Sequence, residues 1–144
     1  MLRLVIDTNL WIRVLLGGSQ SLFLLDGWRR QSFIPVVSED LLAELESVAL
    51  RPRLRQRIDG ADLAELLDDL RLLGELVTPT TIPPRCRDVR DHPVLAAAID
   101  GHVAAIVSGD ADLRADDDLR TAMRAYGVEL WGIETLRKEL SADK

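Results

Sequence analysis

Short apolar runs alternate with longer amphipathic stretches along this chain. Residues 2–6 are apolar apart from Arg3, too few for a helix and rich in β-formers. They predict a strand buried on both faces, in the middle of a parallel sheet. The run stops at Asp7-Thr8-Asn9, and residues 10–16 predict a short helix closed by Gly17-Gly18, with Thr8 or Asn9 able to cap it. A second helix opens at Ser19 or Ser21, carries Leu22, Phe23, Leu25 and Trp28 on one face, and ends on Arg29-Arg30. Residues 33–37 predict the next strand. Ser38 then caps a helix with Glu39 and Asp40 in its first turn and Leu41, Leu42, Leu45 and Val48 on its apolar face, stopping near Arg51-Pro52. Residues 53–60 read as a basic connector. Leu63, Leu66, Leu67, Leu70 and Leu73 follow the helical period, and Gly74 closes that helix.

Residues 75–78 predict a third short strand, followed by a proline-rich loop to residue 84. Asp91-His92-Pro93 opens a helix through Ile99 that stops at Asp100-Gly101. A strand over 103–107, a helix over 116–126, a strand over 128–131 and a helix over 133–140 complete the pattern. The alternation predicts an α/β fold in which helices cover both faces of a parallel sheet. A length of 144 residues suits a single domain spanning 1–144, and there is no internal repeat.

Composition narrows the function classes. Apolar residues make up 47% and charged residues 29%, ordinary for a globular protein. No apolar run approaches the ~20 residues of a membrane span, and no signal-peptide pattern opens the chain. A cytoplasmic protein without a membrane partner is expected. Cys86 is the single cysteine, which excludes an internal disulfide framework and a cysteine-based zinc site; a loop or strand residue without a redox role is expected there. The net charge is −6, and of 18 basic residues only Lys138 and Lys144 are lysines. Such a chain has no general attraction for nucleic acid, so a polyanionic substrate would require local arginines or metal ions.

The candidate chemistry lies in the acids. Asp7 ends one predicted strand, and Asp110 with Asp112 ends a later one, Ile106-Val107-Ser108-Gly109-Asp110. In a parallel sheet the carboxyl ends of all strands share one edge, where open α/β sheets place their ligands. Glu44 lies one to two turns into the helix after the second strand, near that edge. Asp91 opens a helix leading away from it. Converging carboxylates repel one another and raise their own pKa values. A divalent cation removes that penalty, and oxygen-only donors select Mg²⁺ or Mn²⁺ over zinc. For Asp7 and for Asp112, helix capping is an equally good account. Asp116-Asp117-Asp118 reads as a solvated capping run, and Asp40 and Glu46 as surface residues.

In order along the chain, these stretches resemble the PIN domain family, and within it the toxins of bacterial toxin–antitoxin pairs. Val5-Ile6-Asp7-Thr8-Asn9 resembles the opening motif. Val37-Ser38-Glu39-Asp40-Leu41-Leu42-Ala43-Glu44 is similar to the second block, with Glu44 its functional acid. Cys86-Arg87-Asp88 followed by Asp91-His92-Pro93-Val94-Leu95-Ala96 is similar to the third, with Asp91 functional. Ile106 to Leu113 resembles the fourth, which brings Asp110 and Asp112. The resemblance implies a three-layer α/β/α sandwich with strand order 3-2-1-4-5, metal-dependent endoribonuclease activity and a homodimer. An antitoxin protein is an implied partner. The chain departs from the family pattern at Arg90 and His92, where relatives commonly carry further acids.

Phosphodiester hydrolysis requires an activated water, neutralised phosphate charge and help for the leaving alkoxide, all of which metal ions can supply. On that basis Asp7 and Asp110 are expected to bind the metal, with Asp91 and Asp112 completing the coordination. Glu44 would hold or deprotonate the water. Thr8, Asn9 and Ser108 would position these acids through hydrogen bonds. Arg85, Arg87 and Arg90 are candidates for steering RNA; Arg90 would either touch the scissile phosphate or pair with Asp88 or Asp91. Arg51, Arg53, Arg55 and Arg57 read as solvated helix-end residues, His92 as a first-turn residue and Trp28 as core. A PIN-like RNA-binding or scaffold protein without useful catalysis is the alternative. A receiver-like phosphotransfer domain would require a lysine near the acids, where this chain has none.

Overall fold

The computed structural model describes residues 2–18, 22–84 and 92–142. The first half of the chain runs β1 (Leu2–Ile6), α1 (Thr8–Leu15), α2 (Leu22–Arg29), β2 (Phe33–Val37), α3 (Glu39–Ala49), α4 (Pro52–Arg55) and α5 (Gly60–Leu73). The second half runs β3 (Glu75–Leu76), α6 (His92–Asp100), β4 (Ala105–Val107), α7 (Ala111–Ala115), α8 (Asp117–Arg124), β5 (Glu129–Trp131) and α9 (Ile133–Ala142). The strands form one sheet, all parallel, in the order β3-β2-β1-β4-β5. This is the arrangement the family resemblance implies.

β1 is central because its sequence can be buried on both sides. It pairs with β2 in the register Leu4↔Pro35 and with β4 in the register Leu4↔Ala105 and Ile6↔Val107. Side chains alternate along a strand. Leu4 and Ile6 therefore enter one core with Val37, Val107 and Trp131, while Val5 enters the other with Val36 and Ile106. The first core is covered by α1, α3, α5 and α9 through Leu10, Trp11, Leu45, Leu66, Leu70 and Leu136. The second is covered by α6, α7 and α8 through Leu95, Ala98, Leu113, Leu119 and Met123.

Apart from shifts of one or two residues at helix and strand ends, the elements differ from the sequence pattern in four places. The basic connector contains the one-turn α4, started by Pro52 at its first helical positions. A further short helix, α7, follows Asp110. β4 begins at Ala105 rather than at 103, because the Val103 N–H is spent on the Ala98 carbonyl closing α6. β3 is two residues long rather than four: after the Val77 N–H reaches the Val37 carbonyl, the Thr80 and Thr81 N–H groups turn to the Asp100 carboxylate at the end of α6. The Thr81 hydroxyl, with those two backbone donors, holds the Asp100 carboxyl down at about 2.

Gly74 joins α5 to β3 where a Cβ would lie 2.5 Å from the Leu70 carbonyl oxygen and 2.9 Å from that of Pro35. At the amino edge of the sheet, Arg3 pairs with Glu75 and donates to the Gly101 carbonyl. Trp28 is half-buried rather than core. It meets Trp11 edge-on, ring centres 5.6 Å apart, and borders a cleft of about 710 Å³ between α2, α5 and the start of β2. Among the described residues no helix is long and apolar enough to cross a membrane.

Candidate active site

Parallel strands bring every carboxyl end to one edge, and Asp7 lies there immediately after β1. Its N–H donates to the Val107 carbonyl at 2.9 Å, so Asp7 is still laddered onto the end of β4. The residue is 7% exposed. It occupies the N-cap position of α1 with extended backbone (φ −62°, ψ 146°), yet its side chain makes no capping hydrogen bond. Instead the Ser108 hydroxyl donates to Asp7 Oδ2 at 2.8 Å. Capping therefore does not account for this carboxylate, which is turned across the edge towards the end of β4.

Ser108 is the hub of the contact. It follows β4, its N–H donates to the Trp131 carbonyl at 3.0 Å, and its Oγ accepts from the Asp110 N–H at 3.0 Å. One buried hydroxyl thus ties the Asp7 carboxylate to the backbone that carries Asp110. Asp110 is half-buried and caps α7, its Oδ1 accepting from the Asp112 N–H at 2.9 Å and the Leu113 N–H at 3.4 Å. The capping considered for Asp112 thus belongs to Asp110. Asp112 is exposed in the first turn of α7.

Burial pushes the Asp7 carboxyl above its ordinary value, and the nearby Asp110 charge pushes the same way. Hydrogen bonds from Ser108 and from the Thr8 backbone oppose the shift without cancelling it. Among the described residues, neither Asp7 nor Asp110 has an ion-pair partner. Glu44 enters from α3, where the buried Thr8 hydroxyl donates to its Oε2 at 3.3 Å. Asn9 is exposed in the first turn of α1. The edge therefore gathers Asp7, Ser108 and Asp110, with Glu44 attached through Thr8.

Asp91 and the arginines Arg85, Arg87 and Arg90 lie outside the described residues, as do Cys86 and Asp88. Among the described residues no group of three or more metal-binding side chains forms. The two acids that do converge are hard oxygen donors, and neither is ion-paired among the described residues, a setting that suits a small divalent ion. Asp116 caps α8 through the Leu119 N–H, with Asp117 and Asp118 exposed beside it. Arg51, Arg53, Arg55 and Arg57 are exposed, and His92 is half-buried in the first turn of α6.

One residue beside the acids was missed by sequence reasoning. The guanidinium of Arg13, on α1, lies against Gly109, so that a Cβ at Gly109 would fall 2.9 Å from Arg13 Nη1 and 3.0 Å from Nη2. The available signal was its spacing of four from Asn9, which puts both on one exposed helix face.

No curated protein matches the chain. The family model described as PIN domain does match, over residues 3–112, a span that begins in β1 and ends on Asp112. With its parallel sheet in the family's strand order and the match covering most of its length, the chain belongs to the PIN domain family of nuclease-type proteins.

Proposed function

We propose that this protein is a Mg²⁺- or Mn²⁺-dependent endoribonuclease that acts in the cytoplasm as the toxin of a toxin–antitoxin pair. The carrying observation is the buried Asp7 carboxylate, turned away from its helix and joined through Ser108 to the backbone of Asp110. Two such acids with no ion-pair partner among the described residues call for a cation from solution.

Asp7 and Asp110 would hold the ion, with Asp91 and Asp112 completing the donor set. When bound, the ion supplies charge neutralisation at the phosphate and an acidified water. Ser108 keeps Asp7 aimed at the edge rather than at its own helix. Thr8 orients Glu44, whose carboxylate takes a proton from the attacking water. The water oxygen bonds to phosphorus as the bond to the 3′ oxygen breaks, and the leaving 3′ oxygen takes a proton from solvent. The products carry 5′-phosphate and 3′-hydroxyl ends. A homodimer and an antitoxin partner are the assembly this reading entails.

The test is cleavage of a mixed RNA pool by purified protein with Mg²⁺, with Mn²⁺ and with EDTA, alongside Asp7→Asn. Cleavage is expected only with metal, and Asp7→Asn should lower it at least about a hundredfold while folding normally. Metal-dependent cleavage by the folded variant at the wild-type rate would overturn the assignment. Folded wild-type protein that binds RNA but never cuts it would leave an RNA-binding or scaffold role.

A further inference from the structure

Arg13 is an exposed arginine next to an acidic site, in a chain of net charge −6. Among the described residues its guanidinium takes part in no hydrogen bond and no ion pair. A cation in the last turn of a helix is ordinarily explained by the helix dipole. The guanidinium also rests against the backbone of another element. Helical side chains lean back towards the helix N-terminus. Arg13 lies five residues after Thr8, roughly 7.5 Å along the axis at 1.5 Å per residue. Its long arm ends against Gly109, the residue between Ser108 and Asp110.

The approach exists only because position 109 has no side chain. Arg13 Nη1, Nη2 and Cζ all lie within 3.1 Å of where a Cβ would stand. The result is a positive group with free N–H donors at the rim of the Asp7–Asp110 pair. An RNA strand entering that acidic edge is repelled by it, and a bidentate cation at the rim is the group that counters the repulsion.

The geometry points to Arg13 as a phosphate-binding residue for single-stranded RNA, seated on Gly109 to grip a backbone phosphate beside the Asp7–Asp110 site. This rests on the ribonuclease reading for its substrate. Its test is nevertheless a binding measurement that needs no cleavage.

The experiment measures binding of a fluorescein-labelled single-stranded RNA to the full chain carrying Asp7→Asn, in EDTA, across a range of salt. Three further variants are compared on that background: Arg13→Ala, Gly109→Ala and Arg124→Ala. Gly109→Ala keeps the charge but places a methyl group where the guanidinium rests; the displaced atoms are the tip of a flexible side chain, so the fold tolerates it. Arg124 is an exposed arginine in the last turn of α8. Arg13→Ala should weaken binding about tenfold and flatten the slope of log affinity against log salt by about 0.7, one phosphate contact on a single strand. Gly109→Ala should weaken binding several-fold, and Arg124→Ala should leave it within about twofold. Equal effects of Arg13→Ala and Arg124→Ala would overturn the proposal, as would unchanged binding by folded Arg13→Ala or no RNA binding by the parent. RNA binding that depends on Arg13, in a protein whose wild-type form never cuts, would keep this inference and remove the nuclease reading. Metal-dependent cleavage with a KM indifferent to Arg13 would do the reverse.

Discussion

At the scale of single residues, Asp7 shows what burial does to a carboxylate. Its proton is held more tightly in the folded chain than in the unfolded one, chiefly through loss of water around the charge. Below the ordinary carboxyl value of 3.8 both forms carry the proton and Asp7 adds no pH dependence. As pH rises, the unfolded chain ionises first, so Asp7 progressively favours unfolding until the raised folded value is passed. Asp7→Asn cannot ionise, and its side-chain oxygen can still accept from Ser108. Without metal it should be more stable than wild type at about pH 7, and the gap should shrink towards about pH 4. Melting temperatures in EDTA across that range check this; a gap independent of pH would contradict it. The same residue marks a limit of sequence reading. Two equally good roles fit Asp7 in Ile6-Asp7-Thr8, and only the position of Ser108, 101 residues later, separates them.

At the scale of elements, the sheet was readable because each strand carries its own signature. β1, β2 and β5 lie within their apolar runs, and the parallel edge with its acids follows from the alternation of strands and helices. What could not be read depends on partners distant in sequence. Beyond β3, the Thr80 and Thr81 N–H groups are taken up by Asp100, at the far end of α6. Arg13 looks like any last-turn arginine until Gly109 is placed beside it. The junction of α5 and β3 is equally hidden, since Gly74 reads as an ordinary helix stop. Its constraint is sharper than that, because a Cβ would strike two backbone oxygens that cannot swing aside. Gly74→Ala should cost about 1–3 kcal/mol, read as a shift in the urea midpoint. RNA cleavage at temperatures where the variant is folded should be unchanged.

At the scale of the whole molecule, two cores flank one sheet and the acids sit on the edge between them. A cation held by Asp7 and Asp110 would join the ends of β1 and β4, so it should stabilise the fold as a unit. With Mg²⁺ at a hundredfold its Kd the gain is about 2.7 kcal/mol. Wild-type protein should melt several degrees higher with Mg²⁺ than with EDTA, and Asp7→Asn should not respond. An equal response in both would place the ion elsewhere.

The central position of β1 also fixes when this molecule becomes competent. The partners of Asp7, Ser108 and Asp110, belong to a loop made about a hundred residues after it. At about 5–20 residues per second, the interval is roughly 5 to 20 s. Throughout it β1 lacks its β4 neighbour, α9 has not yet closed the first core, and the acid pair does not exist. A chain that stops short of Asp110 therefore lacks the acid pair, and any activity that depends on the pair begins only after β4 and the loop behind it have been made.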